Sequence, residues 1–495
     1  MRKSSVAAAK KSVLTSDLSF ASIEELSALL ALRQVSPVEL AKLFLDRIER
    51  HNASLNAYLT VTREQALVEA RAAERRLVLR RARGPLDGIP LCVKDNIWTR
   101  GVRTTAGSKV LEKFVPEFDA TVVSRLRRAG AVLLGKTNLH EFAYGVTTDN
   151  PHYGATRNPW DRDRIPGGSS GGTAAAIAAG LCSGGIGTDT GGSIRIPSAL
   201  CGIVGLKPTY GRVSSRGTVP LAPSLDHVGP MARTVGDAAL LFATIAGRDP
   251  QDRVTLDQPR FKPFASLREC ASRLRPRFTK KRPLRLGRPR EYFFENIAPE
   301  VMSAVDAAVR SFEKAGAVVD EISMPGVKDG DGPSTSIALA EAAFVHERAG
   351  WFPAHSAEYG EDVRKRLEMG RDIRAADYLA ALEIRTRVRA DFDAVLRRFD
   401  AILAPTVPIA APRIGERATT INGKEEAVRG ALIRLNRPAN LTGLPAISVP
   451  CGWTREGLPI GLQLIGRAWG EEELLVIARL FEEAHPEFRR HPAGY

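Results

Sequence analysis

Two serines set among glycines, and one lysine upstream of both, are the residues of this chain best suited to chemistry. Ser193 closes Gly187-Thr188-Asp189-Thr190-Gly191-Gly192-Ser193, Ser169 lies in Gly167-Gly168-Ser169-Ser170-Gly171-Gly172, and Lys94 ends Leu91-Cys92-Val93-Lys94. A serine hydroxyl is a weak nucleophile until a neighbouring base takes its proton. Glycines beside it leave backbone N–H groups free to face a developing oxyanion. Ser193 therefore reads as the nucleophile, with Thr190, Gly191 and Gly192 as the donors of an oxyanion hole. Lys94 reads as the base, on condition that burial lowers its pKa from the usual value of about 10.4. Ser169 can stand between them, because a hydroxyl donates one hydrogen bond while accepting others. It would pass a proton from Ser193 to Lys94 and return it to a leaving nitrogen. Ser170 is expected to cap the helix that follows or to orient the network. Asp189 and Arg195 flank the nucleophile and are expected to pair and hold its loop. The chemistry these residues predict is acyl transfer from a carboxamide-like bond.

Other chemistries find less support. No Gly-x-Ser-x-Gly elbow surrounds Ser193. His140, His152 and His227 are available for a Ser–His–Asp arrangement, but their flanks give no reason to prefer one. His140-Glu141 lacks the second histidine of a zinc-hydrolase motif, and Gly167–Gly172 lacks the lysine of a phosphate-binding loop. The five cysteines are scattered with no CxxC pair, which predicts buried free thiols in a reducing compartment and no structural zinc.

The elements that position these residues follow from periodicity and caps. Ser22 with Glu25, and Ser36 with Pro37 and Glu39, each read as the start of a helix. Alanine- and arginine-rich helical sequence continues over 63–83. Residues 87–94 read as a turn feeding a short buried strand with Lys94 at its C-terminal end, where open α/β sheets place their chemistry. A helix over 119–129, a strand over 131–135, a helix over 171–180 and a strand over 201–208 follow. Later helices are expected at 299–315, 337–348, 373–397 and 471–483, with strands at 401–404, 446–450 and 459–466. The division this suggests is an N-terminal helical region (1–84), a catalytic core (85–250), a basic Pro/Arg-rich excursion (251–290) and a C-terminal part of the same α/β unit (291–495) that lines the substrate pocket.

The 495 residues carry 71 basic and 56 acidic side chains, a net charge of +15, with 44% apolar content. The densest basic run is Arg273, Arg275, Arg277, Lys280, Lys281, Arg282, Arg285, Arg288 and Arg290. It has few aromatics for base stacking and reads as a solvated linker, so no nucleic-acid partner is expected. No apolar stretch is long enough to cross a membrane. The basic start Met1–Lys11 lacks the apolar region of a secretion signal, and a cytoplasmic location is expected.

Several segments together resemble the amidase signature family. They are Pro90–Asp95, Arg157-Asn158-Pro159-Trp160, Pro166–Gly172, Gly187–Pro197, Gly205–Arg212, Ser224–Pro230, Ala404-Pro405-Thr406, Asn440–Pro445 and Pro459–Gln463. The resemblance implies a single α/β/α domain around a large mixed twisted sheet. It also implies a Ser–cis-Ser–Lys triad falling on Ser193, Ser169 and Lys94, with the cis peptide at Ser169. The implied reaction is acyl-enzyme formation at Ser193, release of ammonia or an amine, then hydrolysis, with no metal or organic cofactor. Family members include simple amidases, carbamoyl-compound and nylon-oligomer hydrolases, fatty-amide hydrolases and the glutaminase subunit of the tRNA-dependent amidotransferase. Here Pro405-Thr406-Val407-Pro408 is followed by Ile409-Ala410-Ala411-Pro412, where that subunit carries a different threonine/proline–phenylalanine pattern. The expectation is a free-standing amidase, possible as a homodimer, acting on a small-molecule amide. A urea, carbamate or oligoamide hydrolase, the glutaminase subunit, and an RNA-binding protein without turnover stand as alternatives. Tyr144, Thr147, Thr148, Asp149, Ile203, Trp351, Phe352, Asn436 and Asn440 are the expected pocket residues.

Overall fold

A computed structural model describes residues 18–264, 266–275, 278–279 and 281–495. The basic start Met1–Lys11, and Arg277 and Lys280 of the basic run, lie outside the described residues. Eleven strands form one mixed sheet: β1 (Tyr58–Val61), β2 (Pro90–Lys94), β3 (Val132–Thr137), β4 (Gly184–Asp189), β5 (Val204–Lys207), β6 (His227–Ala232), β7 (Arg285–Pro289), β8 (Val318–Ile322), β9 (Ala401–Pro405), β12 (Ala446–Trp453) and β13 (Pro459–Ile465). β10 (Ala418–Ile421) and β11 (Lys424–Ala427) form a separate hairpin. The order across the sheet is β1-β3-β2-β4-β6-β5-β12-β13-β9-β7-β8. β2 runs parallel to both β3 and β4, while β4 and β6 are antiparallel. The central strands are covered on both faces and buried along their whole length, the condition under which strands read as continuous apolar runs.

The helices begin where their caps direct. Ser22 and Ser36 each complete a capping box, with Glu25 and Glu39, at the starts of helices Ile23–Ala31 and Pro37–Leu55. Helix Gly171–Ala178 is buried on every face, so its Gly-Gly-Thr-Ala-Ala-Ala sequence serves close approach rather than amphipathicity. At Gly187 on β4, a Cβ would fall 2.9 Å from Ser170 Oγ and 2.8 Å from Met231 Sδ. Only glycine lets the serine–glycine loop lie that close to the central strand.

The strand expected over 201–208 begins later than its sequence suggests. Cys201 ends helix Arg195–Cys201, Gly202 adopts the left-handed conformation (φ 68°) as its C-cap, and β5 starts at Val204. This is the usual role of a glycine just past a helix. The basic segment contains a short helix, Leu267–Arg273, capped by Ser266, and re-enters the sheet at β7 beside β9. All five cysteines are buried free thiols, with Cys92 and Cys182 Sγ atoms 3.5 Å apart. Among the described residues no helix is long and apolar enough to cross a membrane.

Candidate active site

The ends of β2 and β4 meet the serine–glycine loop on one side of the sheet. Lys94, the last residue of β2, is wholly buried. Its Nζ donates to Ser169 Oγ at 2.7 Å and to Thr188 Oγ1 at 2.7 Å. Asn96 Nδ2 also donates to that threonine at 3.3 Å. Burial lowers the Lys94 pKa to about 7, although the carboxylates of Asp189 and Asp226 pull the other way. Among the described residues no carboxylate forms an ion pair with it, so desolvation decides its protonation.

The peptide between Gly168 and Ser169 is cis. Thr148 brackets this loop: its Oγ1 donates to the Gly167 carbonyl at 2.8 Å and accepts from Gly171 N at 3.1 Å. Ser170 occupies the N-cap position of its helix without making the cap bond. Its hydroxyl instead donates to the Thr188 carbonyl at 3.1 Å. Its N–H donates to the Ser193 carbonyl at 3.2 Å, tying the two glycine loops together. Ser170 thus makes no cap bond and is hydrogen-bonded to both Thr188 and Ser193.

Ser193 follows β4 on a loop built around Asp189. The Asp189 carboxylate accepts from Gly192 N (2.8 Å) and Ile194 N (3.1 Å), and from Arg195 Nε (3.1 Å) and NH2 (3.0 Å). Both members of this pair are fully buried. Burial alone would raise the Asp189 pKa, but the Arg195 guanidinium holds it well below the usual carboxylate range. Asn440 extends the network, donating to the Asp189 carbonyl and to its carboxylate at 2.9 Å each, and accepting from Arg195 at 2.6 Å. The pairing expected of Asp189 and Arg195 is therefore present.

The oxyanion donors need one correction. The Gly192 N–H is taken by Asp189 and is not free to face a substrate. Among the described residues nothing accepts from the N–H groups of Thr190, Gly191 or Ser193, which leaves these three open. The Thr190 hydroxyl donates to Asp226, whose carboxyl burial pushes up to about 6.

Ser193 opens onto a cavity of about 230 Å³ whose walls include Thr190, Gly191, Tyr144 and Asn440. Of the other residues expected there, Thr147 and Asp149 line a neighbouring cavity of about 610 Å³ beyond Gly145 and Val146. Ile203 is a core residue, because it immediately precedes a fully buried strand. Trp351 stacks against Phe142, and Phe352 packs edge-on to Tyr359, away from the cavity. Asn436 sits behind Gly192 and donates to the Thr406 carbonyl at 2.7 Å, so it supports the loop rather than the pocket. Missed from the sequence were Thr188, Asp226 and three cavity arginines, Arg366, Arg429 and Arg437. Thr188 could have been found, since it precedes Asp189 on a strand and must point to the opposite face. The three histidines considered are engaged elsewhere: His140 with Asp362, His152 with Glu141, and His227 with the Leu225 carbonyl.

A mixed α/β sheet with glycine-bound serines and a buried lysine at its strand ends defines a class, and comparison with known proteins agrees. Residues 39–475 match the family described as Amidase. The chain is 42% identical over 497 residues to a glutamyl-tRNA(Gln) amidotransferase subunit of Moorella thermoacetica, covering 96% of this chain and 99% of that one. A solved bacterial aryl acylamidase of the amidase signature family superposes with a TM-score of 0.86 at 29% identity, covering 96% and 99% of the two chains. An inhibitor-bound vestigial protein complex, bearing on the origins of an s-triazine catabolic enzyme, contains a chain with a TM-score of 0.87 at 35% identity, covering 94% and 98%. The chain belongs to the amidase signature family. It is an enzyme of the C–N hydrolase kind.

Proposed function

We propose that this protein is a free-standing amidase that cleaves small carboxamides through an acyl-enzyme on Ser193. The observation that carries the reading is the buried Lys94, 2.7 Å from Ser169 and lowered to about 7. In its neutral form the Lys94 amine has a lone pair to accept the Ser169 proton, while Ser169 accepts one from Ser193. Ser193 attacks the amide carbonyl, and the N–H groups of Thr190, Gly191 and Ser193 stabilise the oxyanion; one such donor supplies about 3–4 kcal/mol in comparable sites. The proton then returns through Ser169 to the nitrogen, which leaves as ammonia or an amine. Water repeats the sequence on the ester. Residues 85–250 supply this chemistry, and the later chain completes the pocket.

The identity to the amidotransferase subunit favours a second reading, in which free glutamine is the amide donor. A zwitterionic substrate brings an α-ammonium that a carboxylate would best neutralise, and among the described residues the walls of the Ser193 cavity hold three arginines and no aspartate or glutamate. We therefore rank the amidase reading first. The test is hydroxylamine trapping over a panel of primary amides with purified wild type and Ser193→Ala. Hydroxamate from the wild type alone is the expected result. Unreduced turnover by Ser193→Ala would refute the mechanism.

A further inference from the structure

We infer that the substrate carries an anionic group, held by the arginine end of the cavity around Arg429. The inference rests on the amidase reading for the position of the scissile bond. Three arginines, Arg366, Arg429 and Arg437, share the cavity with Ser193, and no carboxylate among the described residues lines it. Two of the three have partners. Arg366 pairs with Asp362 at 2.7 Å and Arg437 with Asp331 at 2.8 Å. Arg429 forms no ion pair and no hydrogen bond among the described residues, and its Nε is buried without a partner. The cluster thus holds three positive charges against two negative ones. Burial and the charges of Arg366 and Arg437 lower the Arg429 pKa to about 10, the mark of a cation that an anion would relieve.

Position argues the same way. Helix Val428–Arg434 carries Arg429 and Ile433 four residues apart, hence on one face about 6 Å from each other. Ile433 lies over the oxyanion loop, where a Cβ on Gly191 would come within 3.0 Å of it. Arg429 therefore stands one helical turn from the residue that covers the oxyanion loop. Leu339, Leu441 and Ile433 give the cavity apolar wall, beside the hydroxyls of Ser334 and Thr335. A short aliphatic spacer between a carboxylate and an amide fits this arrangement. Monoamides of dicarboxylic acids are the chemical class, and an ammonium on the spacer would meet three arginines and no carboxylate among the described cavity residues.

The experiment compares glutaramate, pentanamide and L-glutamine. Turnover is measured with wild type, and binding by calorimetry with Ser193→Ala, which reads recognition even where no amide is cleaved. Glutaramate is expected to exceed pentanamide by roughly 10- to 100-fold in both kcat/KM and affinity, as a charge-assisted contact provides. It is also expected to exceed glutamine. In Arg429→Met the glutaramate-to-pentanamide ratio should fall towards unity, and Arg429→Lys should restore part of it. Equal binding of glutaramate and pentanamide by Ser193→Ala, or a preference for glutamine, overturns the inference. Selective binding without turnover of any amide by wild type overturns the amidase reading and leaves the anion site standing.

Discussion

The pH dependence of the reaction tests the proton route most directly. Moving the Lys94 ammonium from 10.5 to about 7 raises the free amine at pH 7 from roughly one molecule in 3,000 to about half, equivalent to ~5 kcal/mol at 1.36 kcal/mol per pH unit. If the free amine is the working form, kcat/KM measured on a neutral primary amide should rise with pH and level off above about 8, with its midpoint near 7. Asp189 and Asp226 both favour the ammonium, so Asp226→Asn should shift the midpoint to lower pH. Lys94→Ala should cost about 10²–10⁴-fold, the span of general acid–base catalysis, and its residual rate should lack the limb. The folded lysine binds its proton less tightly than the unfolded one. Between about 7 and 10.5 the unfolded chain therefore holds the extra proton, and this residue's contribution to stability increases with pH. A flat wild-type profile, or a midpoint at 9 or above, would refute the reasoning. So would a limb that survives in Lys94→Ala.

Two further outcomes follow from the nucleophile loop. Asp189→Asn leaves the buried Arg195 guanidinium without its counter-charge and should destabilise the fold by about 3–5 kcal/mol, read from urea unfolding; a loss below 1 kcal/mol would show the pair is not needed. Gly192 has φ 122°, and a Cβ there would lie 2.6 Å from Asn436 Cβ. Gly192→Ala should therefore cost at least about 1–3 kcal/mol of stability and most of kcat, and wild-type kinetics in that variant would contradict the loop geometry.

Much of this was legible in the sequence because it rests on local rules. Ser36, Pro37 and Glu39 fix a helix start through contacts three residues apart, and they do so in the structure. The glycines around Ser169 and Ser193 announce close backbone approach, and Lys94 stands at a strand end as expected. What the sequence hid depends on distant partners. β4 reads Gly-Gly-Ile-Gly-Thr-Asp and has little strand propensity; pairing with β2 and β6 makes it one. β8 (Val-Val-Asp-Glu-Ile) is an edge strand with only Ile322 buried, and its pairing with β7 places it in the sheet. Asn436 is expected in the pocket from its placement around the core, yet its side chain packs against Gly192 and bonds to the Thr406 carbonyl, a partner 30 positions away. Arg366, Arg429 and Arg437 lie up to 71 positions apart, and nothing local marks arginines as neighbours until the helices bearing them converge.

The walls of the Ser193 cavity come from two stretches of chain with different jobs. The reacting hydroxyls and the amine hang from β2, β4 and the loops between 94 and 195, all fixed to the middle of the sheet. The arginines and about half of the greasy surface facing them arrive from 334–441, on helices that pack over the sheet without entering it, and Tyr144, Val146, Leu221 and Leu225 supply the rest. Selection can therefore alter which molecules are admitted through substitutions in the later half of the gene, without touching the residues that break the bond.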